Sequence, residues 1–76
     1  MLIMEFIEID CPICDDGKKH KAEVLKIKRS KYTRRMTEFD MTVMLVRCLD
    51  CGTKGVIRKI ESLGMENYEF PYEGDI

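Results

Sequence analysis

The sequence predicts a small all-β domain that is stabilised by a metal site. At 76 residues, a hydrophobic core alone contributes only about 3–5 kcal/mol of stability, so an added cross-link is common at this size. All four cysteines lie in two C-x-x-C pairs, one near the start of the chain and one past its middle. Between the pairs, apolar and other residues alternate over positions 39–46, which is typical of a strand with alternate side chains on opposite faces.

The two C-x-x-C pairs predict one tetrahedral metal site. This spacing lets two thiolates turn towards one point, so the two pairs together supply four soft ligands. We expect a single structural Zn²⁺, because a site closed by four thiolates has no open position for a substrate. The alternatives are two disulfides, a redox dithiol, or a single iron that carries electrons. The expected ligands are Cys11, Cys14, Cys48 and Cys51.

The first residues favour a metal site over disulfides. The run over residues 1–9 has no basic n-region, carries two glutamates and is too short to span a bilayer, so no signal peptide or membrane segment is apparent. Disulfide frameworks belong mostly to secreted chains. We therefore expect a cytoplasmic protein with reduced cysteines.

The first half of the chain reads as strand, knuckle, strand. Residues 1–9 are apolar at nearly every position, which predicts a strand covered on both faces. The loop signal Asp15-Asp16-Gly17 closes the first cysteine knuckle. A second strand is expected between His20 and Arg29. Its alternation breaks between Val24 and Leu25, which indicates a bulge or a short helix.

The second half predicts a hairpin, a strand, the second knuckle and a further strand. The polar stretch from Ser30 to Glu38 is expected to be a long hairpin loop. The strand over residues 39–46 leads into the second knuckle, and Val56, Ile57 and Ile60 predict a short strand after it. Because 33 residues separate Cys14 from Cys48, we expect the hairpin tip roughly 30 Å from the metal.

The composition changes after Gly64. We expect one domain with an N-terminal strand over residues 1–64 and a C-terminal tail over residues 65–76. The tail has four acidic residues, no basic residue and three aromatic residues. It is either frayed or packed through Tyr68, Phe70 and Tyr72.

The two knuckles resemble those of the zinc-ribbon family. The resemblance rests on Cys11-Pro12-Ile13-Cys14 and Val46-Arg47-Cys48-Leu49-Asp50-Cys51-Gly52, and it extends to about Ile60. It implies a three-stranded antiparallel ribbon with the four cysteines as zinc ligands, in a transcription or translation setting. Zinc ribbons act as nucleic-acid binders, docking modules and structural supports, so the resemblance specifies the fold more than the function.

The chain departs from the zinc-ribbon pattern in two places. Asp15 stands where a glycine often follows the second cysteine, so Gly17 is expected to supply the chain reversal. The expected hairpin tip reads Tyr32-Thr33-Arg34-Arg35 and lacks the acidic dipeptide of transcript-cleavage ribbons. This difference argues against a role in stimulating RNA cleavage.

Positive charge is concentrated in one segment. Residues 18–35 have a net charge of +8, whereas the whole chain has a net charge of −1. The basic side chains suit phosphate contacts and the tyrosine suits base stacking. RNA or single-stranded DNA is favoured because no recognition helix is predicted, and the alternative is a solvated hairpin that protects a strand edge. The predicted nucleic-acid-binding residues are Lys28, Arg29, Lys31, Tyr32, Arg34 and Arg35.

Another hypothesis is a module that docks onto a protein of the gene-expression machinery or forms a homodimer. The apolar first strand, six methionines and aromatic tail offer adaptable apolar contacts. An enzyme with a small-molecule substrate is not expected, since Ser30 and Ser62 are isolated and no nucleophile with its base can be assembled. His20, the single histidine, is expected to be a surface or strand residue.

Overall fold

The chain folds into a five-stranded antiparallel sheet. The structure is a computed structural model that describes residues 5–76. The strands are hydrogen-bonded in chain order, and the segment Glu61–Leu63 forms a turn of 3₁₀ helix before the last strand. The predicted small all-β fold is confirmed, although the sheet has five strands where the resemblance implied three. The strands are β1 (Glu5–Ile9), β2 (His20–Arg34), β3 (Thr37–Cys48), β4 (Lys54–Ile60) and β5 (Met65–Glu69).

β1 pairs with the first residues of β2 at one side of the sheet. Ile9 is buried and Ile7 is half-buried, whereas Phe6, on the opposite face of the strand, is 45% exposed. The prediction of a strand covered on both faces is therefore wrong for residues 5–9, because alternate side chains point to opposite faces and only one face meets the core. The rest of that prediction, over residues 1–4, lies outside the described residues.

β2 and β3 form the longest hairpin of the described chain. They pair as far as Arg34 and Thr37, so Arg35 and Met36 alone form the turn. The long loop predicted for residues 30–38 is wrong. The segment contains β-branched and aromatic residues that favour strand pairing, and two residues suffice to reverse an antiparallel hairpin.

The end of this hairpin extends beyond its neighbours. β4 pairs with β3 only as far as Thr42, so residues 31–40 lie past the last pair between β3 and β4. We call residues 31–40 the arm. Within the described part of the chain, each strand of the arm has only the other as a partner.

A β-bulge at Leu25 sets which side chains share a face. The register between β2 and β3 shifts between Val24 and Lys26, so a bulge is present at the predicted break and a helix is not. Val24 lies opposite Val46, and beyond the bulge Ile27 lies opposite Met44. The bulge thus moves odd-numbered residues of the later part of β2 onto the face that even-numbered residues occupy before it.

Each face of the sheet carries one apolar cluster. On the cysteine face, the buried residues are Ile9, Cys11, Ala22, Met44, Val46, Cys48 and Ile57. On the opposite face, which we call the tail face, they are Val43, Leu45 and Val56. Residues 43–46 of β3 are all buried because this central strand is covered on both faces.

The last residues of the chain cover parts of both faces. Phe70 stacks on Tyr68 with a centroid distance of 6.1 Å and packs against the cysteine-face cluster. Tyr72 and Ile76 pack against the tail-face cluster. Of the two expectations for residues 65–76, packing through the aromatic side chains is therefore observed. Within residues 5–76, no helix is long and apolar enough to cross a membrane.

Candidate functional site

Sheet pairing brings the four cysteines to one end of the molecule. Cys11 and Cys14 lie in the turn between β1 and β2, while Cys48 ends β3 and Cys51 lies in the turn before β4. The alignment of Ala22 with Cys48 across β2 and β3 places the two turns side by side. Two ligand pairs that are distant in the chain therefore become neighbours.

The sulfur positions fit a single tetrahedral metal ion. The Sγ atoms of Cys11 and Cys51 are 3.6 Å apart, and those of Cys14 and Cys48 are 3.9 Å apart. All four Sγ atoms lie within 4.8 Å of one another. Four sulfurs held at about 2.3 Å from a central zinc would be about 3.8 Å apart, whereas a disulfide needs about 2.05 Å. The four cysteines can therefore hold one metal ion, and their spacing does not match two disulfides.

A backbone hydrogen bond closes each knuckle. The N–H of Asp15 donates to the Cys11 carbonyl at 3.0 Å, and the N–H of Gly52 donates to the Cys48 carbonyl at 2.8 Å. Both donors have positive φ, +42° for Asp15 and +74° for Gly52. Asp15 thus adopts the left-handed conformation that glycine supplies in the second knuckle, which aspartate tolerates better than most residues. The chain reversal expected from Gly17 is shared by the two residues, since Gly17 also has positive φ.

The thiols differ in their readiness to ionise. Burial raises the pKa of Cys11, and the backbone N–H groups of Cys14 and Ile13 partly oppose that increase. Burial and the neighbouring thiols also raise the pKa of Cys14. Cys51 is exposed, and hydrogen bonds from the hydroxyl and backbone of Thr53 lower the pKa of Cys51 to about 6. A bound dication favours all four thiolates and so opposes the increases.

His20 connects the two knuckles. Its Nε2 lies 2.8 Å from a carboxylate oxygen of Asp16 in the first knuckle, and its Nδ1 contacts the carboxylate of Asp50 in the second. Hydrogen bonds to Asp16 and Asp50 raise the pKa of His20 to about 9. The imidazole is therefore protonated at neutral pH and donates from both nitrogens.

The sequence predicts His20 on a strand or at the surface, and it does not predict this connection. The nearby Asp16 was a local signal. The contact with Asp50 depends on the sheet, because the N–H of Leu49 donates to the Lys21 carbonyl at 3.0 Å and brings the second knuckle beside the start of β2.

The six predicted nucleic-acid-binding residues are distributed over three parts of the hairpin. Their cross-strand partners in β3 assign each strand residue to a face, because directly opposite residues share a face. The tail face carries Lys28, Tyr32 and Arg34, the cysteine face carries Arg29 and Lys31, and Arg35 lies in the turn. The structure therefore does not gather all six on one surface.

The two faces of the hairpin differ in charge balance. On the cysteine face, Lys31 forms an ion pair with Asp40, and Glu38 adds a second acid beyond it. On the tail face, no acidic side chain lies between residues 28 and 43 of β2 and β3. Among the described residues, Lys28 and Arg34 form no ion pair within 4.0 Å.

The tail face also carries aromatic and apolar groups next to these cations. Phe39 lies directly opposite Tyr32, so two rings share the face. Phe39 is not among the binding residues predicted from the sequence, because the predicted loop left its pairing partner undefined. Tyr32 borders a cavity of about 360 Å³ at the foot of the arm. The other lining residues are Met41, Arg58, Ile60, Met65, Glu66 and Asn67.

Comparison with known proteins identifies a relative of nearly the same length. The chain is 57% identical over 67 residues to an uncharacterized protein from Archaeoglobus fulgidus, and the alignment covers 88% of this chain and 98% of the relative. No protein-family model matches the chain, and no solved structure matches it.

Proposed function

We propose that this chain, which belongs to the same family as the uncharacterized Archaeoglobus fulgidus protein, is a zinc-stabilised ribbon that binds single-stranded nucleic acid. The metal would hold the cysteine end of the sheet, and the arm would contact RNA or single-stranded DNA. The zinc-ribbon resemblance of the knuckles favours a role in transcription or translation.

Zinc is the metal that the four-cysteine group supports best. Four thiolates are soft ligands, and their spacing suits the tetrahedral geometry that Zn²⁺ adopts in structural sites. Four protein ligands leave no position for a substrate, so we propose that the metal supports the fold and that the chain is not an enzyme. Metal analysis of the purified protein tests this assignment, with one zinc per chain expected. A coloured protein with one iron per chain would contradict it.

One observation carries the nucleic-acid proposal: the tail face of the β2–β3 hairpin combines cations with aromatic rings and has no acid between residues 28 and 43. Lys28 and Arg34 are available for phosphate contacts, and Tyr32 and Phe39 for base stacking. The arm also projects past β4, so a strand of nucleic acid can reach this face beyond the main sheet.

A matched pair of double variants tests the face. Lys28→Ala/Arg34→Ala removes two positive charges from the tail face, and Arg29→Ala/Lys31→Ala removes two from the cysteine face. Binding of the zinc-loaded proteins to a short labelled single-stranded RNA would be measured as a function of salt. We expect the tail-face variant to bind more weakly and to lower the magnitude of the log–log salt slope by about 1.4, because single strands lose about 0.7 per phosphate contact.

The result for the cysteine-face variant decides whether the face or the total charge matters. We expect its affinity to stay closer to that of the wild type, since Lys31 is already paired with Asp40. Equal losses in both variants would show that only net charge matters. Wild-type protein that fails to bind RNA or single-stranded DNA at low salt would overturn the proposal.

Docking onto a protein or a second copy of the chain is the other candidate function. A cavity of about 280 Å³ beside the junction of β1 and β2 is bordered by Leu25 and Ile27, which are 39% and 48% exposed. Sedimentation at two protein concentrations tests self-association. A dimer that an Ile27→Lys substitution disrupts would favour this function, and a monomer at both concentrations would exclude the homodimer.

A further inference from the structure

The turn at the tip of the arm has an unfavourable backbone conformation for its residues. Arg35 has φ of +50° and Met36 has φ of +66°, so both central residues of a two-residue hairpin turn are left-handed. This combination belongs to the type I′ turn, in which Asn-Gly is strongly preferred. Arginine and methionine have Cβ atoms that make positive φ costly. A sequence optimised only for the stability of the turn would not place them here.

No packing of the Met36 side chain within the described protein offsets the cost of its positive φ. Its side chain is 99% exposed, so it makes almost no packing contact within the protein. The position is also remote from the cysteines, because Met36 lies at the far end of the β2–β3 hairpin. Residues in a strained backbone conformation whose cost is not offset by packing often have a function.

The groups around Met36 indicate what its side chain contacts. Arg34 and Arg35 precede it, and both are exposed and form no ion pair within the described chain. An apolar side chain next to two guanidinium groups matches the interior of a base stack bordered by phosphates. Proteins that kink duplex DNA use methionine among the apolar wedges that they insert between base steps, and the same contact is available between two stacked bases of a single strand.

We propose that Met36 is a wedge that inserts between two adjacent bases of single-stranded nucleic acid. Arg34 and Arg35 contact the phosphates on either side, and the inserted side chain replaces stacking between the two bases. This inference rests on the proposed function of the arm, and it adds a specific binding site at the tip. The ligand is a pair of stacked neighbouring bases, and no particular base sequence is required.

The test uses an RNA oligonucleotide with 2-aminopurine inside an adenine run, because its fluorescence rises when stacking with its neighbours is lost. The zinc-loaded full chain is compared with Met36→Gly and Met36→Leu. Glycine removes the wedge and accepts positive φ, whereas leucine keeps an unbranched Cβ and an apolar side chain.

We expect wild-type protein to raise the fluorescence of the bound RNA. Met36→Gly should lose that rise and bind about tenfold more weakly, while its salt slope stays unchanged because no charge is removed. Its thermal midpoint should equal or exceed that of the wild type, which separates the binding defect from misfolding. Met36→Leu should retain the fluorescence rise and most of the affinity.

Arg35→Asn is the complementary control. Asparagine adopts the left-handed conformation readily, so the turn is kept while one charge is lost. We expect weaker binding and a salt slope smaller in magnitude by about 0.7, with the fluorescence rise preserved at saturating protein.

The outcomes separate the wedge from the general binding proposal. RNA binding by the wild type with no fluorescence rise, or with the same rise and affinity in Met36→Gly, would overturn the wedge and leave the arm as the binding surface. Absence of wild-type binding at low salt would overturn both. The structure leads us to expect that Met36→Gly makes the turn more stable and makes the protein bind RNA more weakly.

Discussion

Cys48 and Cys51 differ in their burial and in how much each contributes to the apolar cluster of the cysteine face. Cys48 is fully buried and belongs both to the candidate metal group and to the apolar cluster of the cysteine face. Cys51 supplies its sulfur from an exposed turn, next to the hydroxyl of Thr53. The same substitution should therefore have unequal effects at these two positions.

We predict that Cys48→Ser prevents stable folding, whereas Cys51→Ser lowers zinc affinity but leaves a metal-dependent fold. A serine at position 48 removes a ligand and also buries a hydroxyl in the apolar cluster. Zinc affinity would be measured by competition with a chromophoric chelator, and folding by circular dichroism. Cys51→His is the control, since zinc accepts three cysteines and one histidine. Equal loss of folding in both serine variants would contradict the prediction.

His20 should make stability depend on pH. Its pKa is raised in the folded state, to about 9 from an ordinary value of 6.5. The stabilisation by its contacts with Asp16 and Asp50 is then fully present below about pH 6.5 and is lost as the pH rises through about 9.

We predict that His20→Gln lowers the urea midpoint more at pH 6 than at pH 9.5. Glutamine can keep part of the hydrogen bonding but cannot carry the positive charge. Midpoints of both proteins, each with one equivalent of zinc, would be compared at the two pH values. A difference between the proteins that does not change with pH would contradict the assigned pKa direction.

At the scale of elements, the C-terminal segment acts as part of the sheet. β5 pairs with β4 from Ile60 opposite Met65 to Val56 opposite Glu69. Beyond it, the N–H of Tyr72 donates to the Lys54 carbonyl at 2.8 Å, so the segment stays beside β4. Gly55 of β4 allows the ring of Phe70 to lie directly against the backbone. Removal of this segment would expose the side of β4.

We predict that Gly55→Ala destabilises the fold by about 1–3 kcal/mol, because an added Cβ would overlap the ring of Phe70. Chemical denaturation of the zinc-loaded protein provides the measurement. In a Phe70→Ala background the same substitution should cost much less, since the overlapping ring is gone. An equal cost in both backgrounds would assign the effect to the backbone of β4 instead.

The protein is less compact than a typical domain of its length. Its radius of gyration is 13.1 Å, compared with about 11 Å for a compact domain of 76 residues. Its dimensions of 40 × 35 × 20 Å reflect a single sheet with a small apolar cluster on each face. Such a fold has little core to stabilise it without a cross-link.

We predict that a strong chelator unfolds the zinc-loaded protein at neutral pH. Metal binding to structural sites of this kind contributes an apparent 10 to 16 kcal/mol, roughly, which exceeds what this core supplies. Circular dichroism should show loss of the sheet on chelation and recovery when zinc is restored, with Mg²⁺ as a control that does not restore it. A sheet spectrum that survives complete metal removal would contradict the prediction.

Local chemistry was sufficient to predict the metal group. The C-x-x-C spacing places the two sulfurs of each pair within reach of one point. Because the chain has two such pairs and no other cysteine, Cys11, Cys14, Cys48 and Cys51 were predicted as one group, and the pairing of β2 with β3 brings the two pairs together. The alternation before Cys48 likewise predicted β3, because side-chain period is a property of the strand itself.

The hairpin and its surface depended on long-range pairing. A one-residue shift of register exchanges the faces of every later side chain, so the bulge at Leu25 and the two-residue turn decide that Tyr32 and Arg34 share a face with Phe39. No local pattern determines where such a turn falls in a run of polar and aromatic residues. The contact of His20 with Asp50 has the same origin, since it forms only when β2 lies beside the second knuckle.

The sequence by itself therefore determined the group of four cysteines, the fold class and the basic character of one segment. Only the tertiary structure decided which cations share a face with aromatic rings, how the C-terminal residues cover β4, and that Met36 occupies an exposed left-handed turn. The physical reason is that ligand spacing and strand period act over a few residues. The face of the sheet on which a side chain lies, and its exposure, depend instead on how all five strands pair.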